Sequence, residues 1–491
     1  MAILGPWPRA LPPLLAGTIM FAVVLARPSI LGDDDTLWHI LTGEWILHHW
    51  AVPRTDIYSY TKFGQRWFAQ EWLSEVLLAL ANGAAGLRGV MVLAAAAMGL
   101  TAGLLLHHLR RFMAMSAAAV LTVLAMFCTT PSMLARPHAL AWPVLELWTA
   151  GLVIARASNA GPPWLLLPLM VVWVNLHGGF IVGLALSGAL TLEAAWAARP
   201  HWHRMALAWG GFTLAAVGAT LLNPNGLEGL RFPFYLLNLH GLNFIEEWQP
   251  TNFIKYQPLE FVLLFGLVLG LLGRLKIPQF RLLLFLGLIH EALTHVRHNQ
   301  ILGIVGSLLL ADAIGRMAPV VVRPAIQTER SRRVAAWAQS GLAACVAVAL
   351  TMRLAVPLER ERADFGLNAV LQKIPAALRA EPVMNEYAFG AKLILAGIRP
   401  YIDSRADLYG DAFIDQYYEA ISQPDIIVPK IFEEWHVAWT IFPAEMPIVL
   451  WLDHQAGWHR FLTDKLAVVH VRDGAASERA VAGASRPVSS P

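Results

Sequence analysis

The residues best suited to chemistry in this sequence are acids, histidines and arginines at the ends of long apolar runs. Three consecutive carboxylates, Asp33, Asp34 and Asp35, follow the first such run, and His39 lies four residues beyond Asp35 on the same helical face. Carboxylates so placed serve as a general base, as metal ligands or as a clamp on a substrate hydroxyl. Asp35 can instead cap the helix that follows, while its neighbours favour the positive helix end. Only one of three can cap and like charges repel, so capping explains the run incompletely. Arg66 and Glu71 come next, then Arg136 and His138 on either side of Pro137, then His177 before two glycines. Arg136 suits either lipid phosphate or a substrate. The glycines after His177 let backbone approach a ligand or another helix closely, or simply make a tight turn.

A further group lies at 290–299. His290, Glu291 and His295 imitate a zinc-protease helix, but histidines five residues apart point about 140° apart around a helix and cannot share an ion as an i, i+4 pair does. Glu291, His295 and His298 do share one face, with Arg297 beside them as a candidate phosphate partner. An interhelical polar contact explains the same group. Glu146, Glu193, Glu260 and Asp312, within or near spans and mostly close to an end, are read as structural, with a proton or ion pathway as the alternative. No metal ligands are assigned. The three first-loop acids permit a divalent cation without requiring one, so the cofactor is left open.

The scaffold that must position these residues is a membrane one. The chain has 491 residues, of which 57% are hydrophobic and 14% charged, against roughly 25% charged in soluble domains. Apolar stretches of about 17–25 residues recur from Leu11 to Leu354, each long enough to cross a hydrocarbon core. The first lacks a small-residue cleavage site and reads as an uncleaved span. The two cysteines, Cys128 and Cys345, lie in apolar runs and build no disulfide framework. A net charge of +3, spread along the chain, argues for no nucleic-acid partner.

Orientation follows from lysine and arginine in short loops. Leu73–Ala85 is short and interrupted by Ser74 and Glu75. Placed at the interface rather than counted as a span, it leaves the basic loops around Arg110–Arg111, Arg156–Pro163, Arg199–Arg204, Arg274–Arg281 and Arg316–Arg333 on one side. The expected fold is a polytopic α-helical membrane protein with about 11 transmembrane helices, interfacial helices in the first outside loop, and a small C-terminal α/β soluble domain. Spans are expected at 11–31, 88–107, 114–130, 138–156, 163–176, 178–198, 205–222, 258–273, 281–296, 300–315 and 335–354. The expected division is a transmembrane domain at 1–354 with outside loops at 32–72 and 223–257, a periplasmic domain at 355–475 and a disordered tail at 476–491. The N-terminus is then cytoplasmic, the C-terminal domain periplasmic, and the chain multi-pass in a bacterial inner membrane. Every candidate site residue named above then falls on the outer face.

In the first loop, Thr36–Trp50 is amphipathic, and Trp38, Trp45 and Trp50 suit the headgroup region. In the C-terminal domain, Pro382–Asn385, Arg399–Ile402, His436–Phe442 and Leu466–Val471 read as strands, and Ala388–Ala396 and Asp411–Ile421 as helices. Asp403-Ser404-Arg405-Ala406-Asp407 follows a strand. It either binds a ligand or is fixed by an ion pair of Arg405 with Asp403 or Asp407.

The acids closing the first span, the helix after them, Pro53-Arg54-Thr55-Asp56-Ile57-Tyr58-Ser59 and Arg66-Trp67-Phe68-Ala69-Gln70-Glu71-Trp72 together resemble the GT-C superfamily of membrane glycosyltransferases. The resemblance covers about residues 31–75 and is architectural beyond them. It implies a sugar donor on a polyprenyl phosphate, an outer-face reaction, and a carboxylate after the first span as catalytic base, here Asp34 or Asp35 with Asp33 beside them. Members of the superfamily often hold the donor phosphate with a Lys-Pro-Pro stretch. Phe68–Trp72 contains no lysine, so that contact falls to Arg66 or a later arginine. The chain also resembles a group of bacterial membrane proteins sharing the Tyr401–Gly410 type of motif. Expected partners are thus a polyprenyl-phosphate-linked sugar and membrane lipid. The rival readings are a lipid or polysaccharide transporter or flippase, whose internal repeat is not visible here, and a non-catalytic partner in cell-envelope polymer assembly.

Overall fold

Long runs rich in leucine, alanine and valine form helices because they lose little freedom in that conformation and can bury or expose apolar faces alike. The computed structural model describes residues 10–198, 202–271, 275–319, 329–356, 358 and 366–474. In chain order the first helices are α1 (Leu11–Leu25), α2 (Asp35–His49), α3 (Trp72–Leu109), α4 (Met115–Cys128), α5 (Pro137–Ala157) and α6 (Leu167–Leu176). Then come α7 (Phe180–Ala197), α8 (Trp202–Thr220), α9 (Leu227–Leu237), α10 (Pro258–Leu271) and α11 (Gln279–Thr294). Among the described residues, α3, α5, α7, Val296–Met317 and Ala336–Ala355 are long and apolar enough to cross a membrane, by length and composition. The other expected spans are also helical but shorter or less apolar. The protein is therefore mostly helical with five candidate spans and a small C-terminal sheet, an architecture compatible with a membrane protein. Arg199, Arg274, Arg323 and the tail at 476–491 lie outside the described residues.

Contacts divide the chain into two compact units. The first holds the chain up to Gly32, then Gln70–Phe234 and Asn243–Val356. Its outer helices turn apolar side chains away from the protein, among them Leu207, Leu214, Leu264, Leu271 and Leu283. Such surfaces suit lipid rather than water. α1 and α3 meet through glycines: a Cβ on Gly99 would stand 2.7 Å from the Gly17 carbonyl oxygen, so only glycine permits this approach. α3 carries Leu73–Ala85 and the expected span after it in one helix that breaks at Ala85 and at Gly86, whose φ is 62°.

Both ends of α5 are tied by charge. At its C-terminal end Arg156 and Arg281 share Glu193, with Arg281 Nε 3.1 Å and Arg156 Nε 3.4 Å from the carboxylate. The structural role expected for Glu193 is thereby accounted for, as is that of Glu146, which lies 2.8 Å from His108 Nδ1. α5 has 21 residues, about 32 Å at 1.5 Å per residue, close to one hydrocarbon thickness. The other end carries the cluster described below.

The second unit joins Asp33–Ala69, Tyr235–Leu242 and the chain after Val356. Its sheet has the order β1 (Val383–Asn385), β2 (Trp439–Phe442), β4 (Val468–Arg472), β3 (Trp458–Thr463). β1 and β2 are parallel and the other pairs antiparallel. Val383, Trp439, Ile441, Val469 and Val471 form its core with Leu367, Val370 and Leu393. Arg399–Ile402 is not a strand. The Asn385 side chain replaces the ladder there, accepting from Tyr401 N–H at 2.9 Å and donating to the Ile402 carbonyl at 2.8 Å. β3 lies outside the expected strands, since its half-exposed edge position carries polar His459 and Arg460 within the apolar pattern. The helix expected from Asp411 begins at Ala406 and is broken at Gly410, where φ is 70°.

α2 corrects a further expectation. Trp38 does not serve as a headgroup anchor: it is buried, and its indole N–H donates to Ser404 Oγ at 3.1 Å. Trp50 is 90% exposed, while Trp45 stacks on His49 with ring centroids 4.1 Å apart.

Candidate functional site

Each unit gathers a polar cluster. In the helical unit the first anchor is the start of α3. Gln70 donates to the Val174 carbonyl at 3.1 Å, Trp72 Nε1 to Asn175 Oδ1 at 2.6 Å and Ser74 Oγ to the Leu176 carbonyl at 2.7 Å. These three side chains hold the end of α6 and thus the turn that carries His177. His177 Nδ1 accepts the Gly179 N–H at 2.9 Å, so the proton of the neutral ring sits on Nε2, which faces Glu71 at 3.4 Å. Burial, then His138 and the two arginines Arg297 and Arg136, keep His177 well below its usual pKa. His177 is therefore a neutral imidazole whose Nε2 side faces the Glu71 carboxylate.

His138 stands at the start of α5, with its Nε2 2.7 Å from the Ser132 carbonyl and its ring centroid 6.2 Å from that of His177. Arg136, immediately before α5, places Nη1 3.0 Å from Glu247 Oε2. Arg297, 50 residues beyond Glu247, places Nη1 3.2 Å from Glu247 Oε1 and lies over the Trp248 ring at 4.2 Å. Two guanidiniums on one carboxylate leave the Arg136–Glu247–Arg297 trio cationic, with Glu71 beside His177 and Glu291 beside His298 as further acids. Glu291, His295 and His298 continue it: His298 Nδ1 is 3.0 Å and His295 Nδ1 3.8 Å from Glu291 Oε2.

Burial raises the pKa of Glu247, but Arg136 and Arg297, with His138 and His177, more than offset this and hold it at about 2. Its folded value lies below the ordinary 4.5. The carboxylate therefore stabilises the fold above that pH, and the contribution is lost as pH falls toward about 2. Thermal unfolding of Glu247→Gln should lack this part of the acid dependence seen in the wild type. Equal slopes in the two proteins would remove Glu247 from the account.

The second unit holds the first-loop acids. Asp33, rather than Asp35, serves the start of α2: its Oδ1 accepts the Asp35 N–H at 2.9 Å. Asp34 Oδ1 is 3.8 Å from Lys392 Nζ, and both groups are largely buried. His39 is buried in α2 against the Trp38 ring, with centroids 3.6 Å apart. Arg66 is exposed, with its guanidinium 4.9 Å from the Phe68 ring centre.

Deeper in this unit Arg405 is fully buried. It donates Nε and Nη2 to the two oxygens of Asp403, at 2.8 and 2.6 Å, and Nη1 to Asp56 at 2.6 Å. Its guanidinium lies 4.7 Å from the Trp67 ring centre. The ion pair with Asp403 considered from sequence is present. Burial pushes Asp407 up to about 6, against the opposing charge of Arg405.

Glu71, Arg136, His138, His177, Glu291, His295, Arg297 and His298 therefore belong to the helical unit, and Asp33, Asp34, Asp35, His39 and Arg66 to the other. Glu247, Trp248 and Lys392 carry no spacing that singles them out. The clue for Glu247 is the acidic-aromatic triplet Glu246-Glu247-Trp248 in an aromatic-rich loop. No family model matches the chain, and comparison with curated proteins gives no similar sequence.

Proposed function

We propose that the protein is a membrane glycosyltransferase that moves a sugar from a polyprenyl-phosphate donor to an acceptor hydroxyl on the periplasmic face. The observation that carries this reading is the convergence of Arg136 and Arg297 on Glu247. Two guanidiniums sharing one carboxylate keep a net positive charge and a fork geometry suited to phosphate oxygens. In the reaction the acceptor oxygen attacks the anomeric carbon as the bond from that carbon to the phosphate oxygen breaks. The departing phosphate takes the electron pair, and Arg136 and Arg297 offset its charge. Resemblance to GT-C enzymes gives the acceptor proton to an acid after the first span, here Asp34 or Asp35. His177, kept neutral, accepts the Gly179 N–H and holds the turn rather than carrying charge.

Polyprenyl phosphate, titrated into the detergent-solubilised full-length protein, provides the test by native mass spectrometry. Arg136→Gln and Arg297→Gln should each weaken binding about tenfold or more, the scale of one charged hydrogen bond. Glu247→Gln, which releases the second guanidinium, should tighten it. Equal binding by the wild type and the double arginine variant would overturn the reading and leave these arginines as interhelical ties.

A further inference from the structure

The second half of the helical unit's cluster has a chemistry that sugar transfer does not use. Glu291, His295 and His298 come from the last turn of α11, its C-cap and the next turn of chain. Their ligand atoms lie within 4.8 Å of one another. Zinc bonds of about 2.0–2.1 Å in a tetrahedron place neighbouring ligand atoms about 3.3 Å apart. The separations of 3.0 Å and 3.8 Å from Glu291 Oε2 bracket that edge. We propose that these three residues bind a zinc-type divalent transition-metal ion, with a fourth position left to water or another ligand.

Two imidazoles and one carboxylate make a nitrogen-rich set that suits zinc or cobalt rather than magnesium or calcium. The cation would sit at the C-terminus of α11, where the helix dipole is negative. Trp248 packs edge-on against both rings, with centroids 5.7 Å from His295 and 6.1 Å from His298, which limits their rotation. Arg297, between the two histidines in sequence, is turned onto Glu247 and the Trp248 face. Thr294 Oγ1, 3.0 Å from His295 Nδ1, must release that nitrogen, and it keeps a bond to the His290 carbonyl at 3.0 Å. His290 lies outside the set, as its helical phase requires. The proposal does not depend on the glycosyltransferase reading.

Tag-free full-length protein in detergent, titrated with Co²⁺, should bind one equivalent with the visible absorption of a tetrahedral ion, and Zn²⁺ should displace it. Glu291→Gln and His298→Gln should each weaken binding by more than about 100-fold, beyond the range seen for outer-shell losses. His290→Gln should leave it unchanged. His298→Cys should retain the ion and add a thiolate-to-cobalt charge-transfer band, which separates ligand loss from misfolding. Absence of saturable binding, or one-equivalent binding that persists in a His295→Gln/His298→Gln protein, would overturn the site.

Discussion

Replacing Arg405 with methionine is expected to destabilise the second unit by about 3–5 kcal/mol, the usual result of removing one partner from a buried ion pair. Arg405, Asp56 and Asp403 are all fully buried at their side chains, so neither carboxylate can recover its lost partner from water. Asp56 would keep the N–H groups of Tyr58 and Ser59, and Asp403 the Tyr409 hydroxyl. Those dipoles cannot neutralise two charges. The damage should reach beyond the local turn, because Asp56 belongs to the first loop and Arg405 to the C-terminal chain, 349 residues away. Thermal unfolding and limited proteolysis of the full-length protein would measure it. A triple Arg405→Met/Asp56→Asn/Asp403→Asn protein, with no buried charge left unpaired, should recover much of the loss. A single variant that melts with the wild type would show that the trio contributes little.

That trio also shows where sequence reasoning reaches its limit. The Asp403–Arg405 pair is legible because two residues of separation make the contact local. Asp56 is not, since nothing in composition or periodicity links positions 349 residues apart. The same physics governs the helices. Hydropathy locates the apolar segments because a long run must be helical to satisfy its backbone in lipid, and the break at Ala85–Gly86 falls where the short segment Leu73–Ala85 ends. Trp38 misleads because a tryptophan suits both a headgroup layer and a core with a hydrogen-bond acceptor, here Ser404. Arg136, His138 and His177 are visible in the sequence as helix-end residues. What brings Arg136 and Arg297 together is Glu247, a loop acid whose importance lies wholly in its two distant partners.

Under the proposed sugar transfer, the first-loop acids should separate by role when neutralised one at a time. Asp33→Asn retains a carbonyl oxygen that can accept the Asp35 N–H, the contact its carboxylate now makes, so helix start and sugar transfer should survive. Asp34→Asn and Asp35→Asn remove a group that can take a proton. The change at whichever acid is the base should lower transfer by about 10²–10⁴-fold, the usual contribution of general-base catalysis. Asp34 carries the further mark of an ion pair with Lys392. Lys392→Met would leave that carboxylate more basic and without its tether. If Asp34 is the base, its pH–rate profile should then move upward, whereas a purely structural Lys392 would change stability alone. Release of polyprenyl phosphate from membrane-extracted lipid-linked sugars, followed by mass spectrometry, reads every variant whichever sugar is transferred. Unchanged release in the Asp34→Asn/Asp35→Asn double variant, with polyprenyl-phosphate binding intact, would reject base catalysis by these acids and leave the arginine pair as a lipid-phosphate binding site without transfer chemistry.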